Sequence, residues 1–328
     1  MRYERRAASR PQASSERESS RVRQVEVTAA QAGQRIDNFL LRQFKSVPRS
    51  RVYRLLRRGE VRVNGRRARP DYRLAQGDRL RLPPVRTGAP AVEARVPDAL
   101  IERLRRAIVH EDADLLVINK PAGLAVHGGS GLSFGVIEAL RAARPDESLE
   151  LVHRLDRETS GCLLVARRRS ALRTLHDLLR EGAVEKRYLA LVAGHWTLGH
   201  KRIDVPLKTR QLQGGERVVK PHAAGKSSAT DFRPVQFFGK RATLLEATLE
   251  TGRTHQIRVH AAYAGHPVAG DDKYGDRDCN ESLRRLGLDR MFLHAQTVSF
   301  VWPATGVEFT ASVPLDDELK AVLDRLGG

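Results

Sequence analysis

The positive charge of this 328-residue chain is crowded into its first quarter, which makes one uniform compact core a poor description of it. Residues 1–92 carry 23 Lys plus Arg against 8 Asp plus Glu, a balance of +15, which leaves +4 of the net +19 for the other 236 residues. A chain of 328 residues also exceeds what one core usually encloses, so two domains are predicted. A basic module joined to a near-neutral one points to polyanion binding, because each neutralised phosphate releases counterions. An anionic membrane surface would meet the same charge, but no amphipathic segment pairs a broad basic face with an exposed Trp/Phe face. RNA or DNA is the better partner.

Composition removes several other classes. Hydrophobic residues make up 41% of the chain, enough for at least one sizeable core. No apolar run approaches the ~20 residues of a membrane helix, and the Arg-, Ser- and Glu-rich N-terminus shows no secretory signal. Two cysteines, Cys162 and Cys279, lie far apart and form no CxxC pair, so neither a disulfide framework nor a structural zinc site is expected. A reducing, cytoplasmic location fits.

Residues 1–24 read as a disordered basic tail, either a solvated terminus without a role or an RNA arm. From Gly33, the helical spacing of Ile36, Phe39, Leu40 and Phe44 predicts one short amphipathic helix. Pro48 and Ser50 start a second, with Val52, Leu55 and Leu56 buried and Arg51, Arg54, Arg57 and Arg58 outward, ending at Gly59. Val61-Arg62-Val63, Asn64-Gly65 and Arg66-Arg67 predict a hairpin with a tight primed turn. The alternation Arg79-Leu80-Arg81-Leu82 adds a half-buried strand. Residues 33–86 hold 16 basic and 4 acidic side chains, a balance of +12 whose self-repulsion calls for a counter-charge. A Pro- and Gly-containing stretch over 83–107 reads as a linker, with a short helix around Leu100–Ile108. Beyond Val109, short strands dominate (Leu115–Ile118, Leu163–Ala166, Tyr188–Val192, Leu244–Leu249), with helices marked by Leu172, Leu175 and Leu179 and by Leu319, Val322 and Leu326. Frequent strands without regular βαβ alternation predict an α+β domain on a mixed, largely antiparallel sheet.

Candidate chemistry concentrates in a few stretches. His153-Arg154-Leu155-Asp156-Arg157-Glu158-Thr159-Ser160-Gly161 lies between strand-like segments, so its polar residues sit on a scaffolded loop. Arg154 and Arg157 flank Asp156, and cations that close would favour the charged carboxylate; an ordinary ion pair in a turn explains the stretch equally well. In Thr251-Gly252-Arg253-Thr254-His255-Gln256-Ile257-Arg258-Val259-His260, the two histidines are five apart and make no metal pair, while Arg253 and Arg258 near a helix start suit an anion, either a phosphate or the Asp156 carboxylate. Lys186-Arg187-Tyr188 opens a strand, where a Tyr is more often a core or edge residue than a base platform. Asp271 and Asp272, within Gly265–Gly275, are weak evidence for Mg²⁺. Asn119-Lys120-Pro121-Ala122-Gly123 and Val126–Gly131 read as turns lining a cleft. GxGxxG, GxxxxGK[ST] and HExxH are all missing.

Taken together, these motifs carry a resemblance. The segments Arg35-Ile36-Asp37, Val47-Pro48-Arg49-Ser50 and Gly59-Glu60-Val61-Arg62-Val63-Asn64-Gly65 resemble the S4 RNA-binding domain over roughly residues 33–82. Behind it, NKPAG, HRLDRETSG, K-x-Y, TGRTHQIRVH and GHPVAGDDKYG look like the RluC/RluD family of large-subunit ribosomal RNA pseudouridine synthases, closest to the RluC branch. The resemblance implies an S4 domain over 33–92, a linker over 93–108 and a catalytic domain over 109–328. It implies site-specific conversion of uridine to pseudouridine in 23S ribosomal RNA, by a cytoplasmic monomer with no cofactor, no metal and no membrane partner. Asp156 inherits the role of catalytic nucleophile or base, Tyr188 stacks on the target base, Arg258 pairs with the catalytic carboxylate, and Arg154 enters the space the base vacates. Arg35, Arg49, Arg51, Arg54, Arg57, Arg58, Arg62 and Arg66 are the expected RNA contacts of the S4 module. Two rivals remain: a non-catalytic RNA-binding or ribosome-assembly factor, and a glycosidase or nucleosidase, which would need a second facing carboxylate.

Overall fold

The computed structural model describes residues 22–44, 47, 49–85, 96–128, 134–211 and 217–328. Nearly all of the expected tail, the start of the expected linker and the tip of the Gln211–Gly225 loop lie outside the described residues, as does the side chain of Arg49. The chain divides between Arg95 and Val96 into two compact units.

The first unit holds strand β1 (Arg23–Glu26), helices α1 (Ile36–Gln43) and α2 (Arg49–Arg58), and strands β2 (Arg62–Val63), β3 (Arg66–Arg67) and β4 (Arg79–Leu82). The strands form one antiparallel sheet in the order β1-β4-β2-β3. Asn64 and Gly65 turn the β2–β3 hairpin with φ of 48° and 77°, the primed geometry that their residue types favour. Ile36, Phe39, Leu40, Val52, Leu55, Leu56, Leu80 and Leu82 are buried together, so the helical stripes and the strand alternation share one core. One boundary differs from expectation: Arg23 and Gln24 belong to β1, where they pair with Leu82 and Arg81, rather than to a tail. Their sparse apolar content hid this, because an edge strand buries little of its own side chains.

In the second unit, helix α3 (Asp98–Arg106) is followed by β5 (Ile108–Glu111), β6 (Leu115–Lys120), α4 (Val136–Ala143), β7 (Glu150–Leu151), β8 (Ser160–Ala166), α5 (Arg169–Glu181) and β9 (Glu185–Ala193). Then come β10 (Lys201–Asp204), β11 (Leu207–Gln211), β12 (Arg217–Pro221), β13 (Ala229–Phe238), β14 (Ala242–Leu249), α6 (Gln256–Tyr263), α7 (Arg277–Arg284), β15 (Leu293–Val301), β16 (Glu308–Ser312) and α8 (Asp317–Gly327). The main sheet runs β10-β13-β14-β9-β15-β8-β6-β5, with β16 on β15 and β7 on β8. Its β8–β15 pairing is parallel and its other pairings are antiparallel, the mixed, largely antiparallel α+β architecture that the strand pattern predicts. Strands β11 and β12 form a separate hairpin.

The expected linker over 93–108 does not extend so far. Residues 98–106 form α3, whose Leu104 is fully buried in the core of the second unit, and Ile108 already opens β5. The Pro and Gly residues of 83–107 suggested a tether, and the short helix expected around Leu100–Ile108 is α3, packed into the core instead of lying in a linker.

The sheet brings the middle of the chain into its core. Strand β8 is buried along its whole length, flanked by β6 on one side and β15 on the other. Gly161, which ends the HRLDRETSG stretch, has φ of +105°, and a Cβ there would stand 2.2 Å from the carbonyl oxygen of Ala295. Only glycine permits that approach, so this residue sets the close parallel contact that begins just after the Asp156 loop.

Candidate active site

Asp156 occupies the loop between β7 and β8, turned back by a hydrogen bond from the Thr159 N–H to the Asp156 carbonyl at 3.2 Å. Beneath this loop, Lys120 at the end of β6 is fully buried and donates to the carbonyls of Pro121 and Leu124 at 2.9 Å and of Arg157 at 3.0 Å. Three ammonium hydrogens thus meet three acceptors, and the NKPAG turn is tied to the Asp156 loop. Burial pushes the Lys120 ammonium down to about 7, with the charges of Glu158 and Asp156 opposing the shift.

Opposite the loop stands α6, which is buried on almost every side from Gln256 to Ala261. Its start is pinned by Gln256, whose side chain accepts from Thr251 Oγ1 at 2.7 Å and the Arg253 N–H at 3.0 Å, and donates to the Ala229 carbonyl at 2.9 Å and Thr230 Oγ1 at 3.0 Å. Arg258, in the first turn of α6, donates from Nη1 to Asp156 Oδ2 at 3.2 Å. Its Nε and Nη2 engage Asp271 at 2.7 and 2.8 Å, a bidentate pair with a carboxylate whose side chain is completely buried. Burial alone would raise the Asp271 carboxyl, but the Arg258 hydrogen bonds and charge, with the Lys273 and Tyr274 N–H groups, hold it below its ordinary value. Burial likewise disfavours charge on Arg258, and Asp271 and then Asp156 more than offset this.

A cleft of about 670 Å³ opens here, lined among others by Arg154, Asp156, Tyr188, His255, Arg258 and Leu293. That volume suits a nucleoside-sized ligand. Tyr188, on β9, is 7% exposed; burial first, and then the Asp156 charge, raises its phenol above the usual value. Arg154 is exposed and lines the cleft.

The four expected residues, Asp156, Tyr188, Arg258 and Arg154, therefore share one cleft. The flanking arginines do not act as the sequence suggested. Arg157 donates to the Gly123 carbonyl at 3.0 Å and pairs with Glu158 at 3.3 Å, and the cation on Asp156 is Arg258, 102 residues away. Arg253 donates from Nε to the Ser227 carbonyl at 3.0 Å and is otherwise exposed at the cleft. Asp271 is consumed by Arg258, which removes the weak Mg²⁺ reading of the Asp271-Asp272 pair. Among the described residues no group of three or more His, Cys, Asp or Glu is placed to hold a metal ion.

Asp271 was weighed in the sequence only as a weak Mg²⁺ ligand and His255 only as half of a metal pair, while Tyr274 and Lys120 were given no role, although all four lie in the quoted motifs. A bidentate partner for Arg258 has no local sequence signal, because 13 residues and two turns of chain separate the pair.

In the first unit, Arg54, Arg57, Arg58, Arg62 and Arg66 are exposed. Arg35 is partly engaged: it pairs with the buried Asp37 at 2.7 Å, and Asp37 also accepts from Tyr53 Oη at 2.9 Å. Arg62 donates to the Gly59 carbonyl at 3.3 Å, bracing the hairpin.

His153 offers a test of the packing around the cleft. Its Nε2 accepts the Leu164 N–H at 3.1 Å, and burial drives its imidazole down to about 4, with Lys186 adding to the fall. The folded state therefore holds it neutral, while the unfolded chain protonates near 6.5. Stability conferred by the neutral ring is present above 6.5 and is lost as pH falls through 4. In urea unfolding across that window, wild type is expected to lose stability more steeply than His153→Gln; parallel pH profiles would contradict this assignment.

Comparison with known proteins agrees with the geometry. Residues 34–80 match the S4 domain, and residues 114–263 match the RNA pseudouridylate synthase family. The ribosomal large subunit pseudouridine synthase C of Escherichia coli K12 is 52% identical over 313 residues, covering 94% of this chain and 98% of that protein. The Pasteurella multocida protein of the same name is 52% identical over 308 residues, covering 93% of this chain and 94% of its own. Among solved structures, human RNA pseudouridylate synthase domain containing 4 superposes with a TM-score of 0.58 at 27% identity, covering 70% of this chain and 95% of that one. Human RNA pseudouridylate synthase domain containing 1 gives 0.56 at 28% identity, covering 70% and 90%.

Proposed function

The chain belongs to the RNA pseudouridylate synthase family, and from that premise we propose that it isomerises uridine to pseudouridine in 23S ribosomal RNA, with Asp156 as the nucleophile or base. The observation that carries the residue assignment is the Arg258–Asp156 contact at 3.2 Å inside a cleft large enough for a nucleoside. The reaction breaks the N1–C1′ bond, turns the uracil, and forms a C5–C1′ bond; C5 loses a proton and N1 gains one. Asp156 initiates this by attack at C1′ or at C6, or by taking the 2′ proton.

The uridine leaves its stack to enter the cleft, at a cost of a few kcal/mol. Tyr188 stacks on the base and Arg154 enters the vacated space, offsetting that cost. Arg258 orients Asp156, and Asp271 orients Arg258. The large-subunit substrate is supported by the names of the relatives and by the exposed arginines of the S4 domain. The form we propose is a cytoplasmic monomer that needs no cofactor, since the isomerisation involves neither a redox change nor phosphoryl transfer; among the described residues no helix is long and apolar enough to cross a membrane.

Purified protein incubated with large-subunit RNA carrying tritium at uridine C5 is expected to release that tritium to water. Release of free uracil instead would favour the nucleosidase reading. Replacing Arg54, Arg57 and Arg58 together by Ala should weaken RNA binding and reduce its salt slope by about 0.7–0.9 for each phosphate that is no longer neutralised. An unchanged slope would contradict RNA binding by these residues.

A further inference from the structure

His255 is one of two non-glycine residues among those described with φ in the left-handed region, at +54°; the other, Asn64, sits in a hairpin turn that requires it. Such a conformation persists only where the surroundings enforce it, and enforced strain of this kind gathers at functional sites. Here the Gln256 anchor fixes the chain on one side, and Tyr274 meets the imidazole on the other: His255 Nδ1 lies 2.9 Å from Tyr274 Oη. The far nitrogen, Nε2, lies 3.9 Å from Asp156 Oδ2.

The hydrogen positions follow from the partners. Tyr274 Oη accepts the Val219 N–H at 2.9 Å, so its own hydrogen is available to donate to His255 Nδ1. A neutral imidazole that accepts at Nδ1 carries its hydrogen on Nε2, the atom that faces Asp156. Neutrality has its own support, since burial lowers the His255 pKa more than the Asp156 charge raises it. The same Tyr274 ring lies under Arg258, whose guanidinium carbon is 5.1 Å from the ring centre. Both groups directed at Asp156 Oδ2 therefore rest on one tyrosine.

We infer that His255 is a positioning residue for Asp156, its Nε2–H tautomer set by Tyr274 and closing onto the carboxylate when a uridine fills the cleft. The 3.9 Å separation is too long for a hydrogen bond in the empty site, and contacts of this kind tighten in the substrate complex. With Oδ2 held from two directions, Oδ1 is the oxygen left for the reacting atom. The β11–β12 hairpin enters through Val219, whose N–H orients the tyrosine. This inference rests on the reading of Asp156 as the reacting group.

The test uses the full-length protein in two arms. Imidazole ¹⁵N shifts should show His255 as the Nε2–H tautomer in wild type, and Tyr274→Phe, which keeps the ring but removes the hydroxyl, should abolish that preference. In the kinetic arm, His255→Ala should lower kcat ~10- to 100-fold with KM unchanged, as for other groups that orient a reacting ligand. His255→Gln, whose amide nitrogen reaches the Nε2 position, should restore most of the rate. An Nδ1–H tautomer in wild type, a wild-type kcat in His255→Ala, or a Gln variant no better than Ala would each overturn the inference. Asp156→Asn measured alongside separates the two readings: if it is inactive while His255→Ala is fully active, only the role of His255 falls.

Discussion

Asp156→Asn is expected to reduce pseudouridine formation by ~10⁴-fold or more while leaving RNA affinity unchanged, because losing a covalent or proton-abstracting group removes the chemical step itself. The substitution changes one oxygen to an amide nitrogen and almost no volume. Arg258 keeps its bidentate hold on Asp271 at 2.7 and 2.8 Å, so the cleft keeps its shape. Affinity for the RNA comes largely from phosphate contacts that lie outside this carboxylate. A single-turnover assay and a binding isotherm on the same preparation check both halves of the expectation.

The second large effect falls on stability as well as rate. Arg258→Leu removes the cation from two carboxylates, one of which, Asp271, has a fully buried side chain. Breaking a buried pair by deleting one partner costs about 3–5 kcal/mol, since the remaining charge is left without compensation. Urea unfolding should show that loss. Adding Asp271→Leu should recover much of the stability, because the orphaned charge is gone, yet activity should stay low, because Asp156 still lacks its partner. Arg258→Lys should fail on both counts: an ammonium cannot span Asp271 with two parallel bonds and reach Asp156 with a third. Full recovery of activity in the double variant would contradict the role given to Arg258.

Both expectations rest on residues named from their motifs; the pairing of Arg258 with Asp156 was expected, whereas the bidentate partner Asp271 was not. Elements whose periodicity reports burial were legible: the stripe Val52, Leu55, Leu56 became α2, the alternation Arg79–Leu82 became β4, and Asn64-Gly65 turned its hairpin. The mixed sheet was legible as a class from strand frequency. Boundaries that depend on tertiary context were not. Arg23 and Gln24 become a strand because β4 offers an edge, and residues 98–106 become a domain helix because Leu104 finds a core.

The site divides in the same way. Asp156, Tyr188, Arg258 and Arg154 were named from their motifs, and all four line one cleft. Yet from local charge alone Asp156 seemed to belong to Arg154 and Arg157, its neighbours in sequence. The sheet overrides this by bringing α6 across from 102 positions away, while Arg157 turns to the Gly123 carbonyl. Asp271, Tyr274 and His255 were not connected to Asp156 for a related reason. Their roles are to hold one another, and a residue whose partner lies in a different turn leaves no mark in periodicity or spacing. The left-handed backbone of His255 is likewise invisible before the fold is known, since nothing about a histidine announces φ of +54°.

Whether this chain makes pseudouridine in large-subunit ribosomal RNA through Asp156 can be read from a map of pseudouridines in that RNA from cells lacking the protein, with wild type or Asp156→Asn supplied in trans. Specific sites are expected to revert to uridine in the deletion, return with the wild-type chain, and stay uridine with Asp156→Asn present at equal abundance. An unaltered pseudouridine map in the deletion, or full restoration by Asp156→Asn, would contradict that expectation.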